Sequence, residues 1–231
     1  MSTISHSTEH EQHERSAAAR PTAGDELGHP RRWAVLAVMC LAVFVTVLDG
    51  TIVNVALPSL TVDLGASTRQ LQWIVDAYLL VFTGLLLAAG GIGDRYGRKK
   101  ALVVGLAVFA ITSAYAGMAD SADELIVGRG LMGIGAALIF PATLAILTNV
   151  FRNPAERAKA IGIWSASSGI AVAAGPITGG WLLEHFWWGS VFFINIPVVI
   201  VAVVAAVLVV PESRDEHVPA LDTAGVMLSI S

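Results

Sequence analysis

The sequence predicts an all-α integral membrane protein with six membrane-crossing helices, and three observations carry that prediction. The first is composition: 55% of the 231 residues are hydrophobic and only 14% charged, with a mean hydropathy of +0.70, outside the range of ordinary water-soluble domains. The second is length. Apolar runs from about Trp33 to Leu57, Leu71 to Gly93, Ala101 to Met118, Leu125 to Val150, Ile161 to Leu183 and Ser190 to Val210 each approach the roughly 20 residues with which a helix crosses about 30 Å of hydrocarbon. The third is the placement of cations. Arg15, Arg20, Arg31 and Arg32 precede the first span, Arg95, Arg98, Lys99 and Lys100 follow the second, Arg152, Arg157 and Lys159 follow the fourth, and Arg214 follows the sixth. Counted alternately, these segments share one side, Arg69 lies opposite, and Arg129 falls within span four. The positive-inside rule then puts both ends in the cytoplasm of a multi-pass protein of the plasma membrane, the cell membrane.

Before the first span, residues 1 to 29 are rich in Ser, Thr, Glu, His and Ala without apolar periodicity, which reads as a disordered tail. Residues 1–32 are therefore expected to form a disordered cytoplasmic tail, 33–210 the bundle, and 211–231 a loop with the start of a seventh helix. His6, His10 and His13 sit at near-helical spacing, but with no cysteine beside them and no core to preorganise them, no metal site is expected. The first span is too long for a signal-peptide core and follows too long a polar tail, so it reads as retained. Cys40 is the only cysteine, which rules out an intramolecular disulfide. After Val210, Pro211 stops the sixth helix and a charged stretch follows; Leu221, Asp222 and Gly225 then open an apolar run that is cut at Ser231, so the chain reads as the front half of something longer.

The segment from Gly90 to Lys100, GGIGDRYGRKK, packs five charges between two apolar runs, as a loop at a membrane surface does. Gly90, Asp94, Arg95, Gly97, Arg98, Lys99 and Lys100 reproduce GxxxD(R/K)xGR(K/R)(K/R), and on these residues the chain resembles major facilitator superfamily transporters in the loop after their second helix. The resemblance implies a six-helix half made of two inverted three-helix repeats, a partner half that completes the pathway, and a gating latch in which Asp94 takes a cationic partner. No residue-level repeat is visible between spans one to three and four to six.

Asp49, Asp76 and Arg129 are the strongly ionisable residues well inside the spans. Each costs about 2.5 to 3.5 kcal/mol at a helix centre on insertion scales and is expected to face the interior or a watery cavity. Asp49 lies in LDGTIVNVALP, with Asn54 and the helix-ending Pro58 after it. This is similar to the first-helix motif of the drug:proton antiporter branch with fourteen spans. Burial opposes a carboxylate's charge and a nearby cation restores it, so proton exchange there hinges on its neighbours. Asp76, in WIVDAYLL, resembles the acidic version found in exporters of quaternary ammonium compounds, flanked by Trp73 and Tyr78, whose faces attract a desolvated cation by about 2 kcal/mol at best. Those aromatics equally suit an interfacial belt. Arg129 opens RGLMGIGAA, similar to the fourth-helix signature lxxxRxxqGxgaa with Met132 in place of Gln. Arg129, Gly133 and Ala137 share one helix face, a strip that another helix can approach closely.

Span five carries AVAAGPITGG, matching the antiporter element GxxxGPxxGG except that Ala171 stands where the first Gly is usual. Gly175 and Gly179 permit a close crossing, Pro176 bends the helix, and with Gly180 they are expected to form a hinge or seal. Span six opens with WGSVFFINIP, similar to WRxxFxINxP with Gly189 in place of Arg. The resemblance therefore implies proton-coupled efflux of drugs or other lipophilic, chiefly cationic, small molecules by alternating access. Asp49 and Arg129 are expected at the proton site, with Asp76, Trp73, Tyr78 and Asn54 facing substrate. The lipid bilayer, small-molecule drug, protons and the C-terminal half are the partners; no cofactor or nucleic acid is expected. The alternatives are a nutrient or metabolite symporter, which has less reason for the span-five element, and a non-transporting membrane fragment. No nucleophile elbow, metal cluster, Walker motif or nucleotide fingerprint is present, which argues against an enzyme or a self-contained ATP-driven pump.

Overall fold

A computed structural model describes residues 29–213. The three tail histidines and the expected seventh-helix start lie outside them. The helices are α1 (Arg32–Asp63), α2 (Thr68–Tyr96), α3 (Arg98–Gly117), α4 (Ala122–Val150), α5 (Pro154–His185), α6 (Ser190–Phe193) and α7 (Asn195–Val209). The helices α1 to α5, and α6 with α7 taken together, are each long and apolar enough to cross a membrane.

Local chemistry explains the turns. Ser67 and Gln70 form a reciprocal capping box at the start of α2, Ser121 caps α4, and Asn153 caps α5 with Pro154 in its first turn, each satisfying otherwise orphaned N–H groups. The break between α6 and α7 falls at Ile194. Pro197 has no N–H to offer the Phe193 carbonyl one turn back, so the helix is weakened at this point.

Two boundaries differ from expectation. Pro58 does not end the first helix, which continues to Asp63; at about 1.5 Å per residue its 32 residues reach about 48 Å, beyond the hydrocarbon thickness. The charged stretch after span two is not an open loop either: α2 runs to Tyr96 and α3 starts at Arg98. Gly97 alone separates them, at φ +116°, where a side chain would be strained. The start of α3 is covered by the segment after α7, with Arg98 N–H donating to Ser213 O at 2.9 Å and Lys99 N–H to Glu212 Oε1 at 3.3 Å.

Helix α4 is the hub. It packs on α2 and α3, while α1 packs on α5 and α3 on α7. The dominant pairing of α2 with α4 becomes that of α5 with α1 when span one is exchanged for four and span two for five. The exchanged spans run in opposite directions, so this one pairing fits an inverted relation, while the close α3–α4 packing has only a weaker counterpart in that of α1 on span six. Glycines set the distances: a Cβ on Gly133 would lie 2.7 Å from Tyr78 O on α2, and one on Gly135 2.8 Å from Phe109 N on α3. On the other side of the bundle, a Cβ on Gly175 would run into Thr51 Oγ1 on α1. Gly189, where the resembled motif has Arg, has no room for one, since even a Cβ would run into Gly117 O.

Gly175→Val is therefore expected to destabilise the bundle by about 1 to 3 kcal/mol through overpacking of α5 on α1. Gly180→Ala, which meets nothing within 4 Å, should cost no stability and add up to about 1 kcal/mol by helix propensity. Thermal unfolding of the two purified variants in detergent measures the difference, and equal melting temperatures would contradict the close α1–α5 crossing.

Candidate functional site

Five spans send a polar group to one point in the bundle. Asp49 comes from α1, Arg129 from α4, Ser113 from α3, Asn195 from the first position of α7, and the Ile74 carbonyl from α2. Arg129 Nη1 donates to Asp49 Oδ2 at 2.5 Å and Arg129 Nε to Ile74 O at 3.0 Å. Asn195 Nδ2 donates to Asp49 Oδ1 at 2.8 Å and to Ser113 Oγ at 3.0 Å. Ser113 in turn donates to Phe192 O at 2.8 Å. The four side chains are 0% exposed. Such a pair holds only because opposite charges and added hydrogen bonds offset the loss of water.

Tyr78 forms one wall of this site. Its hydroxyl donates to Thr46 O at 3.1 Å, and the Arg129 guanidinium carbon lies 4.4 Å from its ring centroid, a cation–π contact. Phe82 stacks beside it, centroids 6.2 Å apart and planes 9° apart, and Phe140 meets Phe82 edge-on at 5.8 Å. These rings, with Thr46, Gly50 and Thr51, line an apolar cavity of about 230 Å³ between α1, α2 and α4. Tyr78 is thus shared by a cavity that suits apolar matter and a sequestered ion pair.

The remaining expected residues are distributed differently. Trp73 and Asp76 share the outward face of α2, Trp73 being 45% exposed and Asp76 half-buried. Tyr78, two positions on, is buried on the opposite side of the helix, so the two aromatics that flank Asp76 in sequence lie on different faces of α2. Asn54 is exposed, and its amide donates back to Gly50 O and Thr51 O of its own helix, outside the lining of the cavity. Asp94 takes a cationic partner: Arg98 Nε donates to Asp94 Oδ1 at 2.8 Å across the α2–α3 junction, and Arg98 Nη1 reaches Ala145 O on α4 at 3.5 Å. Arg95 is exposed and lies over the Tyr96 ring. Gly90 faces Pro141 of α4 and Gly179 faces Ile52 of α1, whereas Pro176 is exposed.

Sequence reasoning missed Ser113 and gave Asn195 no role. A serine in an apolar span carries no periodic signal. The Asn in FINIP was visible, but its partner is 146 residues away.

Residues 39–229 match the Major Facilitator Superfamily. The chain belongs to it. It is 41% identical over 201 residues to the multidrug efflux pump LfrA of Mycolicibacterium smegmatis, covering 87% of this chain and 40% of that protein. It is 44% identical over 171 residues to the methyl viologen resistance protein SmvA of Salmonella typhimurium, covering 74% and 34%, and 38% identical over 203 residues to the riboflavin transporter RibZ of Clostridioides difficile, covering 87% and 44%. The chain thus spans about two fifths of the length of the curated relatives it matches.

Truncating one partner of the buried pair is expected to cost far more than removing both. Arg129→Met leaves the Asp49 carboxylate buried without its cation, a loss of about 3 to 5 kcal/mol, and adding Asp49→Asn should recover much of it. Chemical unfolding of the single and double variants completes the cycle; additive losses would mean that the two residues do not act as a pair.

Proposed function

We propose that this superfamily chain is the N-terminal half of an exporter that expels lipophilic, chiefly cationic, drugs in exchange for protons by alternating access. The observation that carries this reading is the juxtaposition at Tyr78 of an apolar cavity and a buried Asp49–Arg129 pair. A carboxylate held by a fixed cation changes its hold on a proton when that cation is displaced. Matter entering the cavity presses on the ring that Arg129 rests against, which gives substrate a physical route to the proton site. Two of the relatives named above are an efflux pump and a resistance protein, which supports export over uptake.

In this reading Asp49 carries the proton and Arg129 tunes its release. Tyr78 contacts substrate, and Asp76 with Trp73 attracts cations from the outward face of α2. Asn54, one turn beyond the cavity-lining Gly50 on α1, meets substrate outside the cavity itself. The Asp94–Arg98 pair and the Gly175–Gly179 crossing act as gate elements, with Gly90, Arg95, Gly97, Pro176 and Gly180 shaping them. A second reading, carriage of a flat metabolite, is favoured by the riboflavin transporter among the relatives.

One efflux panel tests the assignments in the full-length transporter, with membrane abundance measured alongside. Asp49→Asn should abolish ΔpH-driven efflux of every substrate, because the amide keeps the shape but cannot titrate. Asp76→Asn should weaken binding of divalent quaternary ammonium compounds by about 2 to 5 kcal/mol if the charge pair is desolvated, with little change for a neutral substrate of similar size. Asp94→Ala should slow turnover with binding intact. Normal efflux by an abundant Asp49→Asn protein sinks the proposal, and uniform losses across substrates remove Asp76 from cation recognition.

A further inference from the structure

We propose that Asn195 is a reversible hydrogen-bond partner of Asp49: its amide donates to the carboxylate and turns over to accept from the acid once Asp49 takes a proton. The inference rests on the reading of Asp49 as the proton carrier and adds a positioning residue to it.

The groups that face Asp49 make the case by their chemistry. From α4 comes Arg129, which has donors and no acceptor. From α2 comes Tyr78, whose hydroxyl is turned to Thr46 O and is not hydrogen-bonded to Asp49. From α3 comes Ser113, which meets Asn195 rather than Asp49 directly. Helix α5 meets α1 near this level through Gly175, which lies against Thr51 and Ile52 and brings no titratable group. An ionised carboxylate accepts only, so the nitrogen of the Asn195 amide must face it, as it does at 2.8 Å. A protonated carboxyl is a donor, and among its hydrogen-bonded neighbours Asn195 alone carries an acceptor able to receive that proton.

The amide is poised for the turn. Asn195 Nδ2 has two partners, while Oδ1 is buried with none among the described residues. Rotation by half a turn places Oδ1 toward Asp49 and Ser113 and leaves Nδ2 where Oδ1 now lies. One amide atom is unpartnered in either orientation, but the turn also takes the Ser113 proton away from Phe192 O, so the proton that Asp49 then offers is what drives it. Ser113 permits both: its hydroxyl accepts from Nδ2 while donating to Phe192 O, and it can donate to Oδ1 instead. Arg129 cannot follow such a reversal, so protonation weakens the Asp49–Arg129 contact while the contact to α7 is kept. The carboxyl would then stay tied to span six when it lets go of span four.

The test is infrared difference spectroscopy of the full-length transporter with isotope-labelled asparagine, the Asn195 band being identified by its loss in Asn195→Leu. The Asn195 amide band should shift with pH at the same midpoint as the protonated-carboxyl band that Asp49→Asn removes, and in Asp49→Asn it should no longer respond to pH. Asn195→Leu should lower proton-coupled efflux about tenfold to hundredfold, the scale of a hydrogen bond to a charged group, with drug binding within twofold. Asn195→Thr, whose hydroxyl can donate or accept, should restore part of it. If Asn195→Leu is too unstable to purify, Ser113→Ala serves to identify the band through its perturbation, and the measurement proceeds on otherwise unaltered protein. An amide band indifferent to pH while the Asp49 carboxyl titrates overturns the proposal and leaves the proton reading standing. A carboxyl band that persists in Asp49→Asn, with coupled efflux intact, overturns the proton reading and this inference with it.

Discussion

The pairing of Asp49 with Arg129 in the absence of water is the constraint on which the rest of the bundle depends. Neither charge is tolerable alone at that depth, and each is made tolerable by groups from other spans. Arg129 needs the Asp49 carboxylate, the Ile74 carbonyl and the Tyr78 ring. Asp49 needs Arg129 and Asn195. The requirement brings α1, α2, α4 and α7 together, and Ser113 adds α3. Apolar packing could hold helices in several rotations, whereas the bonds of Arg129 to Asp49 and Ile74 and of Asn195 to Asp49 need these helices in one.

Close packing serves the same point. Gly133 lies one turn beyond Arg129 on α4 and lets α2 approach until its Tyr78 carbonyl is in contact; a larger residue would push the Tyr78 ring off the guanidinium. Gly175 and Gly179 bring α5 onto α1 just after Asp49. Short polar bonds at the centre are geometrically possible because side chains are missing on the helix faces beside it. Function and packing share residues here, so Tyr78 is at once a core ring, a cation–π partner and a cavity wall.

Much of this was legible in the sequence. Six spans follow from apolar length and cation placement, because hydrocarbon thickness and the cost of charge act on each span separately. Asp49 and Arg129 stood out for the same reason, whereas a cationic partner for Asp94 followed from the resemblance, and that it is Arg98 came only from the structure. What could not be read is relational. Nothing local distinguishes Tyr78 from Trp73 until the facing helices are known, and nothing ties Asn195 to Asp49 across 146 positions. Pro58 looked like a stop, yet it lies inside α1. The Gly90 to Lys100 stretch looked like a loop by charge, yet the cations ride on helix ends and one glycine makes the turn.

The central claim is that the buried pair links substrate to proton, and counting protons tests it most directly. The full-length transporter, purified in detergent and held in weak buffer, is given a saturating lipophilic cation while a pH indicator is monitored. Wild-type protein is expected to release protons in proportion to drug bound, and Asp49→Asn to bind drug and release none. Undiminished proton release by Asp49→Asn would contradict a proton site at Asp49.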